Sequence, residues 1–155
     1  MKRIEIQLSK LKALQMVSAE TVYVGGRSVG ADDPSTYDKV FATDDDAQFL
    51  MTMYDTAVTS LVTICGEWVE RTTDTDDGSI ITLALPDNLA PQGERNIREN
   101  AMAYVIASIL ADYLGRLAPE NAKFYEEQGA TLAEAIVSDL NARKRVKYTE
   151  KTGKK

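Results

Sequence analysis

Polar and apolar residues alternate with a period of two over residues 3–8 (Arg-Ile-Glu-Ile-Gln-Leu), a pattern typical of a β-strand with one buried face. A second β-prone run, residues 79–85 (Ser-Ile-Ile-Thr-Leu-Ala-Leu), stops at Pro86, which cannot continue a sheet ladder. A lone strand would leave its backbone groups unpaired, so the two runs are predicted to pair with each other.

The first half of the chain also predicts two helices. Ser9 is placed to cap the first, which should fade near Gly25-Gly26. Its predicted inward residues are Leu11, Ala13, Leu14 and Val17. The second is predicted to start at the N-cap Thr43, with Asp46 at the third helical position, and to reach Arg71, a length of roughly 42 Å. Its apolar stripe is Leu50, Met53, Ala57, Leu61, Ile64 and Trp68, followed by an acidic turn over residues 72–79.

Two further helices are predicted in the second half. The third should run from about Glu94 to Leu117, and its middle is apolar nearly all round, as in a central helix or one shared with a neighbouring subunit. Pro119 fits the first turn of the fourth. The buried stripe of this helix is predicted to be Ala122, Tyr125, Gly129, Leu132, Ile136 and Leu140. The pattern therefore predicts a mostly α fold, a bundle of about four helices with a small two-stranded β element, as one domain over residues 1–142.

Charge separates the last residues from this domain. Residues 143–155 carry seven basic residues and one acid, a net +6; the whole chain carries −6, so residues 1–142 carry −12. Such asymmetry indicates a tail made for a partner, with a plain solvated terminus as the other interpretation. The predicted partner-binding residues are Arg143, Lys144, Arg145, Lys147, Tyr148 and Lys151. The acidic domain itself disfavours nucleic-acid binding by the body.

Composition removes several chemistries. The chain has no histidine, which excludes serine–histidine and cysteine–histidine catalysis and zinc sites that need imidazole. The single cysteine, Cys65, cannot form an internal disulfide, and it shares the predicted buried stripe with Trp68, which favours a core role. No continuous apolar run reaches the roughly 18 residues of a membrane span, and Glu5 lies where a signal peptide needs its apolar core, so neither membrane nor targeting segment is expected.

Three polar segments could hold ions, and each has a simpler explanation. The segment 74–78 (Asp-Thr-Asp-Asp-Gly) resembles the start of a calcium loop, which needs glycine at position 6 and glutamate at position 12. Counted from Asp74, Gly78 falls at position 5 and Leu85 at position 12, so a solvated turn is predicted instead. The glycine-rich segment 25–30 lacks the phosphate-binding lysine and is predicted to be a flexible loop. Capping explains the aspartates at 44–46. No metal, cofactor or catalytic residue is predicted.

The order of these elements resembles one protein family. Residues 44–61 (an acidic cap and a long helix), the strand 80–85, the apolar helix through residues 104–114 and the helix from Ala118-Pro119-Glu120 to Arg143-Lys144-Arg145 together resemble the small head–tail connector, or adaptor, proteins of tailed phages and prophages. The resemblance covers about residues 40–146. Members often end in a similar Arg-Lys-Arg run followed by proline. Here Val146 stands in place of the proline, and the chain continues beyond it.

The resemblance implies a structural virion protein. Many copies would form a ring beneath the portal protein, continue the channel for double-stranded DNA without reading its sequence, and offer a docking face to tail or neck proteins. Such a protein would be made in the host cytoplasm and reside in the neck of the virion. The third helix would supply subunit contacts, and the residues expected there are Tyr104, Ile106, Ile109 and Tyr113.

Two other classes of protein stay open at this point. One is a small helical binding or regulatory protein whose basic tail contacts nucleic acid or an acidic partner. The other is an enzyme that uses carboxylates and a metal, for which Asp74 and Asp76 would be the residues to test. The expectation from the residues present is that the protein is not an enzyme.

Overall fold

The computed structural model describes residues 1–28 and 46–144. The elements follow the order β1 (Lys2–Ser9), α1 (Lys10–Ser28), α2 (Ala47–Cys65), β2 (Val69–Thr75), β3 (Gly78–Leu85), α3 (Gly93–Leu114) and α4 (Pro119–Asn141). A short 3-10 turn, Gly66–Trp68, links α2 to β2. The predicted fold class is confirmed: the protein is mostly helical, with a small antiparallel sheet.

The sheet has the strand order β1-β3-β2. The predicted pairing of the two β-prone runs is confirmed, with Ile4 opposite Leu83 and Ile6 opposite Ile81. These four side chains are buried on one face of the sheet. Alternation along both strands therefore delivers a continuous apolar surface to the helices.

The β element was predicted to have two strands, and the sheet has three. The additional strand is β2, formed by residues 69–75, which were predicted to be the end of a helix and the start of an acidic turn. The prediction that the second helix reaches Arg71 is wrong. It ends at Cys65, where Gly66 adopts φ +54° and its N–H bonds to the Val62 carbonyl. Glycine is the residue that tolerates this conformation, and the threonine-rich stretch that follows suits a strand.

The core lies between the sheet and the helices, and the stripe predicted for α4 forms part of it. Ala122, Tyr125, Gly129, Ile136 and Leu140 are buried, and Leu132 is half-buried. In α2, the predicted residues Leu50, Met53, Ala57 and Leu61 are also buried, but Ile64 is half-buried and Trp68 lies beyond the helix. Helix α3 packs along α4 and also contacts α2 and β1, which agrees with its predicted central place.

The first helix departs from its prediction in two respects. The Ser9 cap is confirmed, since the Lys12 N–H donates to the Ser9 hydroxyl at 3.2 Å. However, Leu11 is 67% exposed, whereas Ala13 and Val17 are fully buried. The helix also continues to Ser28, so the loop predicted from Gly25 is wrong as far as Ser28.

The predicted start of the second helix falls largely outside the described residues, which include neither Thr43 nor the first two aspartates of the cap. Asp46 directly precedes α2 at the N-cap position, not at the third helical position, and its side chain makes no capping bond. The rest of the predicted glycine-rich loop, from residue 29 onward, also lies outside the described part.

A single tyrosine joins the helices to the sheet. The Tyr54 hydroxyl on α2 donates to the Leu8 carbonyl at 2.6 Å and accepts from the Ser79 N–H at 3.0 Å. Leu8 ends β1 and Ser79 begins β3, so one hydroxyl satisfies groups of two strands. The ring is fully buried, and the Lys10 ammonium lies 5.3 Å above its centre.

One helical segment, Ala47–Trp68, is long and apolar enough to cross a membrane by length and composition, with a mean hydropathy of 1.3. Of this apolar window, 39% is buried, and the apolar stripe of the helix packs into the core described above.

Two glycines give a prediction about this fold. At Gly78, with φ +146°, an added Cβ would lie 2.0 Å from the Leu8 carbonyl oxygen; at Gly66, with φ +54°, it would meet nothing within 4 Å. Gly66→Ala should therefore cost only backbone strain, on the order of 1–3 kcal/mol. Gly78→Ala should cost clearly more, because strand β1 must also move. Urea unfolding of both variants checks this order, and equal losses of unfolding free energy would contradict it.

Candidate assembly surfaces

The first residues of the predicted tail are part of the folded body. The Lys144 N–H donates to the Asn88 carbonyl at 2.8 Å, and the Ala90 N–H donates to the Ala142 carbonyl at 3.2 Å. Arg143 forms a β-bridge with Leu89 between these contacts. The chain therefore leaves α4 as a short extended segment fixed against the connection between β3 and α3.

The Arg143 side chain also turns back onto the body. Its guanidinium donates to the carbonyls of Leu140 and Ala142 and lies 5.5 Å from the centre of the Trp68 ring. A cation here suits the negative end of the α4 dipole and the face of the indole. Arg143 is half-buried, so its charge is used within the chain.

The remaining residues of the predicted partner-binding set, Arg145, Lys147, Tyr148 and Lys151, lie outside the described part of the chain. Lys144 is exposed, and its ammonium approaches the Asp87 carbonyl at 3.5 Å. Of the predicted partner-binding residues that the structure describes, Lys144 is thus the exposed one.

The four interface residues predicted on α3 do not share one surface. Ile109 and Tyr113 are buried in this chain's own core, whereas Tyr104 and Ile106 are half-buried. The Tyr113 hydroxyl donates to the Asp46 carboxylate at 3.4 Å. Burial, together with the Asp46 charge, raises the pKa of Tyr113 to about 12. In this conformation Tyr104 and Ile106 are the members that a neighbour can reach.

Tyr104 lies beside an open groove of about 390 Å³ between α2, α3 and α4. Most of its lining side chains are small, and they include Ala57, Ser60, Ser108, Ala111, Gly129, Ala130 and Ala133. The groove is therefore a shallow, mainly apolar surface on the face where these three helices meet.

The exposed side of α1 carries apolar residues that the sequence analysis did not assign to a surface. Leu11, Met16, Val22 and Tyr23 all face outward, and Tyr23 is 59% exposed. On α4, Phe124 is 62% exposed. Exposed apolar patches of this kind often mark contact surfaces between proteins. The sequence held no simple signal for the four residues on α1, because their spacings of five, six and one residues do not form a single helical stripe.

The outer side of α4 is acidic. Glu120, Glu127 and Glu134 are exposed, and their spacing of seven residues places them in a row at intervals of roughly 10 Å. Within the described residues none of the three forms an ion pair. Exposed Lys123 lies beside the first two members, three residues after Glu120 and four before Glu127, so the negative charge of the row is partly offset at that end.

Among the residues that the structure describes, no group of three or more histidine, cysteine or acidic side chains could hold a metal ion. Cys65 is buried, and burial raises the pKa of its thiol to about 11, which keeps it protonated at neutral pH. Asp74 accepts a hydrogen bond from the Ser79 hydroxyl at 3.0 Å within the β2–β3 hairpin.

Comparison of the chain with protein-family models, curated proteins and solved structures gave no match.

The contact between Arg143 and Trp68 gives a prediction. Trp68 is the only tryptophan, so tryptophan emission reports the surroundings of this ring, which include Arg143. Arg143→Ala should shift its emission to longer wavelength, because water then reaches the half-buried ring. Lys144→Ala is the matched control, since it removes a neighbouring cation whose ammonium lies at Asp87, and should leave the emission unchanged. Equal spectra for wild type and Arg143→Ala would contradict the docked position of residue 143.

Proposed function

We propose that this chain is a structural subunit of a head–tail connector ring in a tailed phage or prophage, joining the portal to the tail. The observation that carries the proposal is the order of elements over residues 46–144, from α2 through the hairpin to the α3–α4 pair and its basic end. The resemblance to connector proteins rests on this order with one strand, residues 80–85, between the second and third helices, to which the structure adds β2. Supporting features are the exposed surfaces and their charges.

Ring assembly needs two different surfaces on each subunit, because head-to-tail contacts between identical chains are heterologous. The chain offers such a pair in the apolar outer side of α1 and the groove beside Tyr104. They involve different helices, so one copy can present the first to the second of its neighbour. Repetition of that contact with a fixed rotation would close a ring.

The proposed channel function uses the acidic row on α4. DNA carries a dense negative charge, and a wall of like charge lets it move without adhering. Glu120, Glu127 and Glu134 would supply that wall if α4 lines the channel. The positive segment after Lys144 would then dock on a protein surface away from the DNA.

A mass measurement tests the proposal. The purified full-length chain should form closed rings of many copies, detected by light scattering and by electron micrographs of the same sample. A monomer would restrict the proposal to assembly on a preformed portal ring. A stable two-fold dimer would contradict it and favour the small binding protein, whose DNA binding would show as a salt-sensitive gel shift.

A charge variant tests the channel role separately. Replacing Glu120, Glu127 and Glu134 with lysine should leave ring formation intact and create retention of double-stranded DNA that falls steeply with salt. The corresponding glutamine variant is the control for loss of negative charge without gain of positive charge. If the lysine ring does not retain DNA, α4 does not face the channel.

A further inference from the structure

The two edges of the sheet are treated differently by the rest of the molecule. At β1, Arg98 of α3 donates from its Nε to the Glu5 carbonyl at 2.9 Å, so α3 covers part of this edge. At the other edge, β2 pairs only with β3 within the described residues, and residues 70–75 are exposed. In that part of the chain, the outer backbone groups of β2 therefore have no strand partner.

An open edge of this kind can receive an additional strand, because its free N–H and C=O groups form a ready template. The register of β2 shifts between Val69 and Arg71, which disturbs pairing at the start of the strand. The regular part, residues 71–75, offers about 17 Å of edge at about 3.3 Å per residue. Any added strand should therefore pair with these five positions.

The chain itself contains a segment suited to that edge. Residues 145–152 (Arg-Val-Lys-Tyr-Thr-Glu-Lys-Thr) place Val146 and Tyr148 in alternation with polar residues, which is the strand period, and valine, tyrosine and threonine favour strands. Residues 145–155 reach roughly 36 Å when extended. That length exceeds the regular part of β2 and leaves several residues to span a gap.

The hairpin strand and the tail also carry opposite net charges. Residues 69–78 carry four acids and Arg71, a net −3, while residues 145–155 carry five bases and Glu150, a net +4. Glu70 is already paired with Arg3 at 2.6 Å. Within the described residues, Asp76 and Asp77 at the hairpin tip form no ion pair. A basic strand would bring positive charge to this end of the sheet.

The position where the tail leaves the body favours a second copy as the source of the strand. Arg143 contacts Trp68, the residue before β2, so the chain's own tail would enter at the irregular end and run parallel to β2. A neighbour's tail is free to run antiparallel over residues 71–75, which is the slightly more stable pairing.

We propose that residues 145–152 of one copy add as a fourth, antiparallel strand to the free β2 edge of a second copy. The inference rests on the proposed function in that each subunit of a head-to-tail assembly would give its tail to the next. The inference specifies the groups that form this contact between copies: the outer backbone groups of residues 71–75 in one copy and the backbone of residues 145–152 in the other.

The test uses the full-length protein and changes only the tail, outside the described core. Tyr148→Pro removes one backbone donor and fixes φ without changing the charge, so it should block strand addition. Tyr148→Thr is the matched control, because it also removes the aromatic ring but keeps a strand-forming residue. Hydrogen exchange of the 69–78 peptide and light scattering are measured over the same range of concentration.

For the wild type, exchange at residues 71–75 should slow on the order of tenfold as the assembly forms, and Tyr148→Thr should behave alike. Tyr148→Pro should lose the slow exchange and should assemble only at higher concentration than the wild type. Slow exchange at residues 71–75 in a sample that light scattering shows to be monomeric would overturn the proposal in favour of the chain's own tail. Equal assembly of the proline variant, or slowing of exchange in the tail by added double-stranded DNA with no change in β2, would also overturn it.

The same data separate this inference from the proposed function. A ring in which residues 71–75 exchange rapidly would overturn strand addition and leave the connector role standing. A two-fold dimer with slow exchange at these residues, abolished by Tyr148→Pro, would support strand addition and contradict the ring.

Discussion

The interaction on which the rest of the structure depends is the pair of hydrogen bonds made by the Tyr54 hydroxyl. A sheet of three strands is too small to be stable alone and must be held against helices. Tyr54 reaches from α2 to the end of β1 and the start of β3 together, and it is fully buried. Because the protein interior is of low polarity, both strand groups need this partner.

Several features follow from that connection. It holds the corner where β1 becomes α1, and the Lys10 N–H donates to the Asp77 carbonyl at 2.8 Å at the same corner. The hairpin is thereby fixed with β3 in the middle of the sheet and β2 on the outside. The open edge of β2, the exposed side of α1 and the surface of the α3–α4 pair are consequences of this arrangement, and they are the surfaces on which the proposed assembly relies.

Much of the fold could be predicted from the sequence because its signals are local. The alternation in residues 3–8, the Ser9 cap and the stripe of α4 each depend on residues close together in the chain, and each is confirmed. Strand β2 could not be predicted in this way, since Val69 is its only apolar residue and its pairing with β3 decides its conformation. The helix α2 was predicted to run too far because Ile64 and Trp68 keep the helical spacing of apolar residues. The signal for its end was Gly66, which lies between them.

The candidate surfaces were less predictable, for a physical reason. Whether Arg143 serves a partner or the body depends on Leu89 and Trp68, which are distant in sequence and adjacent only in the fold. Leu11 likewise fits the local apolar spacing, but packing of α1, mainly against α3, buries Ala13 and Val17 and leaves Leu11 exposed. Burial of Ile109 and Tyr113 follows from α3 lying between the other elements, so apolar character alone could not separate core from interface.

The measurement that tests the central claim most directly is the stability of Tyr54→Phe, which removes only the hydroxyl. If this group joins the helices to the sheet, the free energy of unfolding should fall by about 2–3 kcal/mol, because a buried carbonyl and a buried N–H lose their partner. Hydrogen exchange should quicken at Ser79, whose amide donates to the hydroxyl. A loss below about 0.5 kcal/mol, with unchanged exchange at Ser79, would show that the sheet is held without the Tyr54 hydroxyl and would contradict the account.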